Sequence, residues 1–237
     1  MKKKHANNIP RPTVDRLTMY LAHMRGLRKK EIEWVQSQQI ADALCLTSST
    51  VRQDLTYLDF SGVSKRGYET EKLERVLNKE LGANKTTNMA VVGAGNLGRA
   101  LALHGEFKRN GLMICAVFDS SPGIIGRKIG NLEVKAMTEL PNVIRKMKID
   151  IGIIAVPASS AQEAANALVS AGLCGLLNLA PVHVCVPEHV ATVEARIIPN
   201  LQELLHLMKN PKTPGGKGTK SKGAKGDKRV NPNGKRG

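Results

Sequence analysis

The sequence predicts an α/β protein: an N-terminal winged helix-turn-helix domain followed by a Rossmann-like domain with a parallel sheet. Three observations carry this prediction. Across Asn88–Asp119 an apolar run, a glycine-rich turn, a helical stretch, a second apolar run and an acid follow one another. From there strand-like and helix-like segments alternate, which builds a parallel sheet with helices on both faces. Upstream, two short amphipathic segments meet at a tight turn.

The composition suits such a molecule. The chain has 237 residues, 41% of them hydrophobic and only 3% aromatic, so its core must be mainly aliphatic. No apolar run approaches the roughly 18 residues of a membrane span. The basic start Met1-Lys2-Lys3-Lys4-His5 lacks the apolar segment of a signal peptide, so a cytoplasmic protein is expected. Cys45, Cys115, Cys174 and Cys185 form no C-x-x-C and share no metal-ligand spacing with histidines. They read as small buried hydrophobes, Cys45 on the apolar side of a helix, with a thiol switch as the minor alternative. The formal net charge of +16 is uneven: residues 1–82 carry +5 and residues 211–237 carry +8. Basic ends around a balanced centre suggest a polyanion partner.

Residues 1–11 read as a flexible basic arm and 12–83 as the winged-helix domain. A helix is predicted over Pro12–Leu27, with Pro12 in its first turn and Val14, Leu17, Leu21 and Met24 on one face. Ser37 could cap the next helix, whose Ile40, Ala41 and Leu44 face inward. After a turn at Cys45-Leu46-Thr47, Ser48 or Ser49 caps the second helix of the motif, with Val51, Leu55 and Leu58 as its stripe. Arg52, Gln53 and Thr56 lie off that stripe near the N-terminal end, the part of a recognition helix that meets base edges. Arg can pair with guanine and Gln with adenine. Ser61–Tyr68 could form a wing with Lys65 and Arg66 at its tip, holding phosphates. An ordinary helical bundle with a solvated basic face would show the same pattern. A third helix is expected at Glu71–Leu81, closed by Gly82.

Residues 84–190 read as the Rossmann domain. After the strand Met89–Val92, the turn Gly93-Ala94-Gly95-Asn96-Leu97-Gly98 leads into a helix over Arg99–Arg109. Gly93 makes the turn, Gly95 admits a pyrophosphate close to backbone, and Gly98 lets helix pack on strand. The helix N-terminus supplies N–H groups for the anion. Asp119 ends the strand Leu112–Phe118, where a carboxylate accepts both ribose hydroxyls and disfavours a 2′-phosphate. The expected ligand is therefore NAD(H). A related domain holding coenzyme A, or nothing, would read alike. Further along, Leu132–Lys135 is a weak strand, Thr138–Lys146 a helix, Ile149–Val156 a buried strand, Ala161–Ala171 a helix and Gly175–Leu179 a strand. Gly93, Asp119, Val156 and Pro157 should converge on one crevice, with Asn178 near. Val190–Ile198 is strand-like and ends at Pro199. Leu201–Met208 is a last helix, too short to stand alone, which must dock on its own domain or on a partner. Residues 191–210 thus form a terminal helical segment. Residues 211–237 lack apolar periodicity and read as disordered, either adding DNA affinity or solubility.

Several motifs together resemble the Rex family of redox-sensing transcriptional repressors over about residues 10–210. They are Arg16-Leu17 with Tyr20; Val51-Arg52-Gln53-Asp54-Leu55 with Tyr57; Val92 to Leu101; Phe118-Asp119; Ala155-Val156-Pro157-Ala158 with Ala161-Gln162; and Asn178-Leu179-Ala180-Pro181-Val182. The resemblance implies a homodimer whose C-terminal helix is exchanged between subunits. It also implies that NADH, in competition with NAD⁺, releases operator DNA. His104 stands where the family usually has Tyr, and Arg196 where it has Asp. Those two groups are thought to pair with the first-helix arginine, here Arg16, in switching states. The wing Lys-Arg pair is shifted, and Leu179 replaces Phe. An NAD-dependent oxidoreductase is the alternative class, with His183 or His189 as proton-transfer groups. Against it, Tyr20, Tyr57 and Tyr68 all lie in the N-terminal domain, and no Ser…Tyr-x-x-x-Lys arrangement occurs.

Overall fold

A computed structural model describes residues 9–58, 60–195 and 197–210. Most of the expected basic arm, the tail 211–237 and Arg196 lie outside the described residues. The chain divides into one unit ending at Ala195 and a second beginning at Arg196.

The N-terminal domain comprises α1 (Arg11–Lys29), β1 (Trp34–Val35), α2 (Ser37–Ala43), α3 (Ser48–Leu55), β2 (Tyr68–Glu69) and α4 (Thr70–Glu80). Leu17, Tyr20, Ile40, Val51, Leu73 and Leu77 meet in its core, all wholly buried. Both helix-turn-helix caps differ from expectation by one residue. Gln36, not Ser37, is the N-cap of α2, and its backbone N–H donates to the Gln39 Oε1 at 2.7 Å. Thr47, rather than Ser48 or Ser49, caps α3: its Oγ1 accepts the Thr50 N–H at 3.1 Å. In the first case the Gln39 side chain turns back onto the cap N–H, and in the second the Thr47 hydroxyl accepts a free first-turn donor, which leaves the serines inside the first turn.

The wing exists, but half of it is unexpected. Val63 and Gly67 bridge around a turn at Ser64-Lys65-Arg66. The following β2 then pairs antiparallel with β1, a two-residue strand too short to leave a periodic signal. Helix α4 ends in a Schellman motif: the Ala83 N–H reaches the Asn78 carbonyl at 2.8 Å, with Gly82 at φ +66°.

The second domain contains β3 (Thr87–Val92), α5 (Asn96–Leu103), α6 (Glu106–Arg109), β4 (Leu112–Asp119), β5 (Lys128–Ile129), β6 (Leu132–Ala136), α7 (Leu140–Met147), β7 (Ile151–Ile154), α8 (Ala161–Ser170), β8 (Gly175–Asn178) and β9 (Ala191–Glu194). The sheet runs β5-β6-β4-β3-β7-β8-β9; all pairs are parallel except the β5–β6 hairpin. The order reverses between β3 and β7, where Val92 lies opposite Phe118 on one side and Ile154 on the other. Such a switch point opens a crevice at the strands' carboxyl ends. One face packs Phe118, Leu140, Ile154 and Leu168; the other packs Val91, Val117, Val134 and Ile153.

Three expectations need correction here. The helix predicted over Arg99–Arg109 starts earlier, at Asn96, and breaks at His104-Gly105, where His104 turns extended (φ −78°, ψ 106°). The strand expected to reach Ile198 stops at Glu194. Pro199 lies in the first turn of α9 (Ile197–Lys209), where a missing N–H costs nothing, and so does not break the chain there. The cysteines are not a buried set: Cys45, Cys174 and Cys185 are exposed, and Cys45 occupies the turn between α2 and α3 at φ +54°. Cys115 alone is partly buried, and that burial pushes its thiol up.

The second unit, as described, is α9. None of its side chains is buried; Ile197, Ile198, Leu201, Leu204, Leu205 and Met208 are all more than half exposed. Among the described residues no helix is long and apolar enough to cross a membrane.

Candidate dinucleotide crevice and DNA-reading surface

The switch point holds a crevice of about 340 Å³. Of the residues named from the sequence, Gly93, Gly95, Asp119, Val156 and Pro157 line it, and Ala94, Asn96, Leu97 and Gly98 do not. Gly93 adopts φ +103°, and a Cβ there would lie 2.4 Å from the Ala155 carbonyl oxygen. A Cβ on Gly98 would come within 1.8 Å of the Gly93 carbonyl oxygen, so α5 can rest on the turn only with glycine there. Gly95 differs: a Cβ would meet no protein atom within 4 Å, because this residue faces the open crevice.

Helix α5 begins after Gly95 with no side-chain cap and no acid in its first turn. The N–H groups of Asn96 and Leu97, both exposed residues, and of buried Gly98 form that first turn, an anion site by geometry and dipole. Ala94 is buried, and its N–H donates to Asp119 Oδ2 at 2.7 Å. Asp119 Oδ1 accepts the Ser121 N–H at 2.8 Å. The carboxylate is therefore fixed in orientation, with lone pairs left for two ribose hydroxyls. Asn178 does not face a ligand: fully buried, its amide donates to the Val182 carbonyl at 2.7 Å and its oxygen accepts the Ala180 N–H. It braces the loop after β8.

Sequence reasoning missed the far wall, which Ser120, Ile124, Met137, Ser160, Glu163 and Ala164 help to form. Its one sequence signal was the Ser160-x-x-Glu163 spacing before a helix.

In the N-terminal domain, Ser49, Arg52 and Gln53 are exposed on α3 and Ser48 half-buried; exposed Thr56 is the C-cap of α3 and so lies at its C-terminal end, not near its N-terminus as expected. Arg52 Nη1 donates to Ser37 Oγ at 3.2 Å, tying α3 to the start of α2. Lys65 sits at the wing tip with φ +64°. The Arg66 guanidinium lies 3.9 Å over the Trp34 ring, so its charge is held by the wing base.

Among the described residues, the two expected switch groups Arg16 and His104 have separate partners. Arg16 pairs with Asp54 of α3, Nε to Oδ2 and Nη2 to Oδ1, both 2.6 Å. Exposed His104 packs edge-on against Phe107 at 5.4 Å between centroids. Arg196 lies outside the described residues. Of the histidines considered for proton transfer, His183 pairs with Glu194 at 2.5 Å and His189 is exposed on a loop. Among the described residues no cluster of His, Cys, Asp or Glu is arranged to hold a metal.

A helix-turn-helix joined to a sheet with a dinucleotide-type crevice defines a ligand-responsive DNA-binding regulator. Comparison with known proteins narrows this class. A "CoA binding domain" family model matches residues 84–182, and one described as "Putative DNA-binding protein N-terminus" matches residues 8–56. The redox-sensing transcriptional repressor Rex of Carboxydothermus hydrogenoformans is 42% identical over 196 residues, 83% of this chain and 94% of that protein. Its counterpart in Desulforamulus reducens is 40% identical over 78% of this chain and 88% of its own. The crystal structure of RSP, a Rex-family repressor, superposes with a TM-score of 0.77 at 30% identity, over 86% of this chain and 95% of that one. The chain belongs to the Rex family of redox-sensing transcriptional repressors, which are regulators and not enzymes.

Proposed function

We propose that this protein is a cytoplasmic, homodimeric repressor that holds operator DNA and leaves it when NADH binds, NAD⁺ competing for the same crevice. The observation that carries the ligand is the uncapped α5 N-terminus beside an open Gly95 and an oriented Asp119. The relative RSP supports both halves: its structures include one with NADH and one with NAD⁺ and operator DNA. Gly93 to Gly98 hold the pyrophosphate, Asp119 the ribose, and Val156-Pro157 the crevice edge. Ser48, Ser49, Arg52, Gln53 and Thr56 read the major groove, while Lys65 and Arg66 meet phosphates. Helix α9, apolar and with no buried side chain, is exchanged onto a second copy.

No chemistry on the nucleotide is needed. If NADH prefers a different dimer geometry from DNA, each weakens the other by the same coupling free energy. Arg16, His104 and Arg196 are the candidate switch groups, acting across the dimer. The decisive experiment is anisotropy titration of operator DNA at fixed salt with NADH, NAD⁺ or neither. NADH alone should raise the apparent Kd at least tenfold; no response to either nucleotide would rule out redox sensing while leaving DNA binding standing. The "CoA binding domain" match favours one second reading, a coenzyme-A-responsive regulator. Competition of coenzyme A against bound NADH separates the two.

A further inference from the structure

We propose that Glu163 is a specificity-determining residue of the crevice. Together with Asp119 it selects a dinucleotide whose adenosine ribose carries no phosphate. This rests on the dinucleotide-sensing function proposed above and names the feature of the ligand that the site rejects. Glu163 stands at the third position of α8, three residues after Ser160. That spacing ordinarily makes a reciprocal cap, with the carboxylate turned back onto backbone. Here α8 has no side-chain cap hydrogen bond. Among the described residues Glu163 also enters no ion pair. Its side chain instead lines the same crevice as Asp119.

The crevice has two carboxylates and no Lys or Arg among its lining residues. Ile124, Met137 and Ala164 line the same crevice and offer apolar surface for a flat base. A ribose phosphate would bring close to two further negative charges into this space. In a partly closed crevice their repulsion is stronger than in bulk water. The objection applies to the 2′-phosphate of NADPH and to the 3′-phosphate of coenzyme A alike. Asp119 is fixed in orientation by the Ala94 and Ser121 N–H groups, and Glu163 adds a second negative charge to the same crevice.

The test is titration of NADH and NADPH onto the full chain, comparing wild type with Glu163→Gln and Glu163→Lys. Wild type should prefer NADH. The ratio of the NADPH to the NADH Kd should fall about tenfold in Glu163→Gln and further in Glu163→Lys. Raised salt should shrink the wild-type ratio. Coenzyme A should displace NADH from Glu163→Lys better than from wild type. A ratio unchanged in both variants, or no wild-type preference, overturns the assignment while leaving NADH sensing intact. A wild-type chain that binds neither dinucleotide overturns both.

Discussion

Arg16 and Asp54 form a two-point ion pair that joins the first helix to the recognition helix. Tyr20 Oη donates to the same carboxylate at 2.7 Å and Thr13 Oγ1 at 3.2 Å. Asp54 is 2% exposed and lies within two residues of Arg52, Gln53 and Thr56, so this network sets the pose of α3. Burial alone would raise the Asp54 carboxyl. The Arg16 guanidinium, the Tyr20 hydroxyl and Thr13 outweigh it and hold the group below its usual value. Truncating one partner of such a pair strands the others, and Asp54→Ala should cost about 3–5 kcal/mol. Urea unfolding should report a lower midpoint at unchanged slope.

The same network gives a pH dependence with a definite sign. The Asp54 contribution is complete above the unfolded carboxyl value of about 3.9 and is lost as pH falls below it. Tyr20 is raised by burial and by its bond to Asp54. Its contribution is complete below the unfolded value of about 10 and is lost as pH rises past it, because the unfolded phenol ionises first. Tyr20→Phe should flatten the alkaline limb and cost about 1–2 kcal/mol at neutral pH. A curve that keeps its alkaline limb in this variant assigns that limb elsewhere.

Gly95 and Gly98 separate binding from folding. In Gly98→Ala the new methyl meets the Gly93 carbonyl oxygen, so α5 must lift off β3. Loss of about 2–4 kcal/mol is expected, together with loss of NADH binding. In Gly95→Ala the methyl meets no protein atom. The thermal midpoint should stay within about 2 °C of wild type, since surface changes of this kind cost under about 0.5 kcal/mol. NADH affinity should nevertheless fall at least tenfold, because the methyl takes the place of the pyrophosphate. Equal NADH affinity in Gly95→Ala would move the pyrophosphate elsewhere.

The reading surface divides by the same logic. Gln53 is exposed, and its side chain enters no hydrogen bond among those described for α3. Gln53→Ala should relax preference at one base pair, costing about 1–3 kcal/mol on the cognate site alone. Lys65→Ala should weaken all sequences equally and reduce the salt slope by about one. Anisotropy titrations across a salt series, on cognate and scrambled duplexes, distinguish these outcomes.

The glycine turn, Asp119 and the strand ends were legible because each reports a local backbone demand. The far wall of the crevice was not. Ile124, Met137 and Glu163 come from three separate segments, and only the closed sheet brings them together. The break at His104-Gly105 carried a signal in Gly105, a poor helix former, but the good helix formers on both sides outweighed it in the periodicity. The caps at Gln36 and Thr47 escaped because serines stood one position on, and side-chain reach decided between neighbours. Arg16 looked like a switch residue from its motif, yet its charge has a full partner in Asp54, invisible without the packing of α1 on α3.

Helix α9 provides the last test. A thirteen-residue helix with six large apolar side chains more than half exposed cannot be stable alone in water. Each such side chain gains about 1.5–3 kcal/mol when fully buried, so a second copy is the natural cover. Leu205→Glu places a charge in the middle of that stripe. In a monomer it would be nearly neutral, because Leu205 is 57% exposed. In an exchanged dimer it should shift sedimentation from dimer to monomer at micromolar concentration. Operator affinity should fall at least a hundredfold with it, because two half-sites must then be bound independently. A variant that stays dimeric and keeps operator affinity would place the dimer contact outside α9.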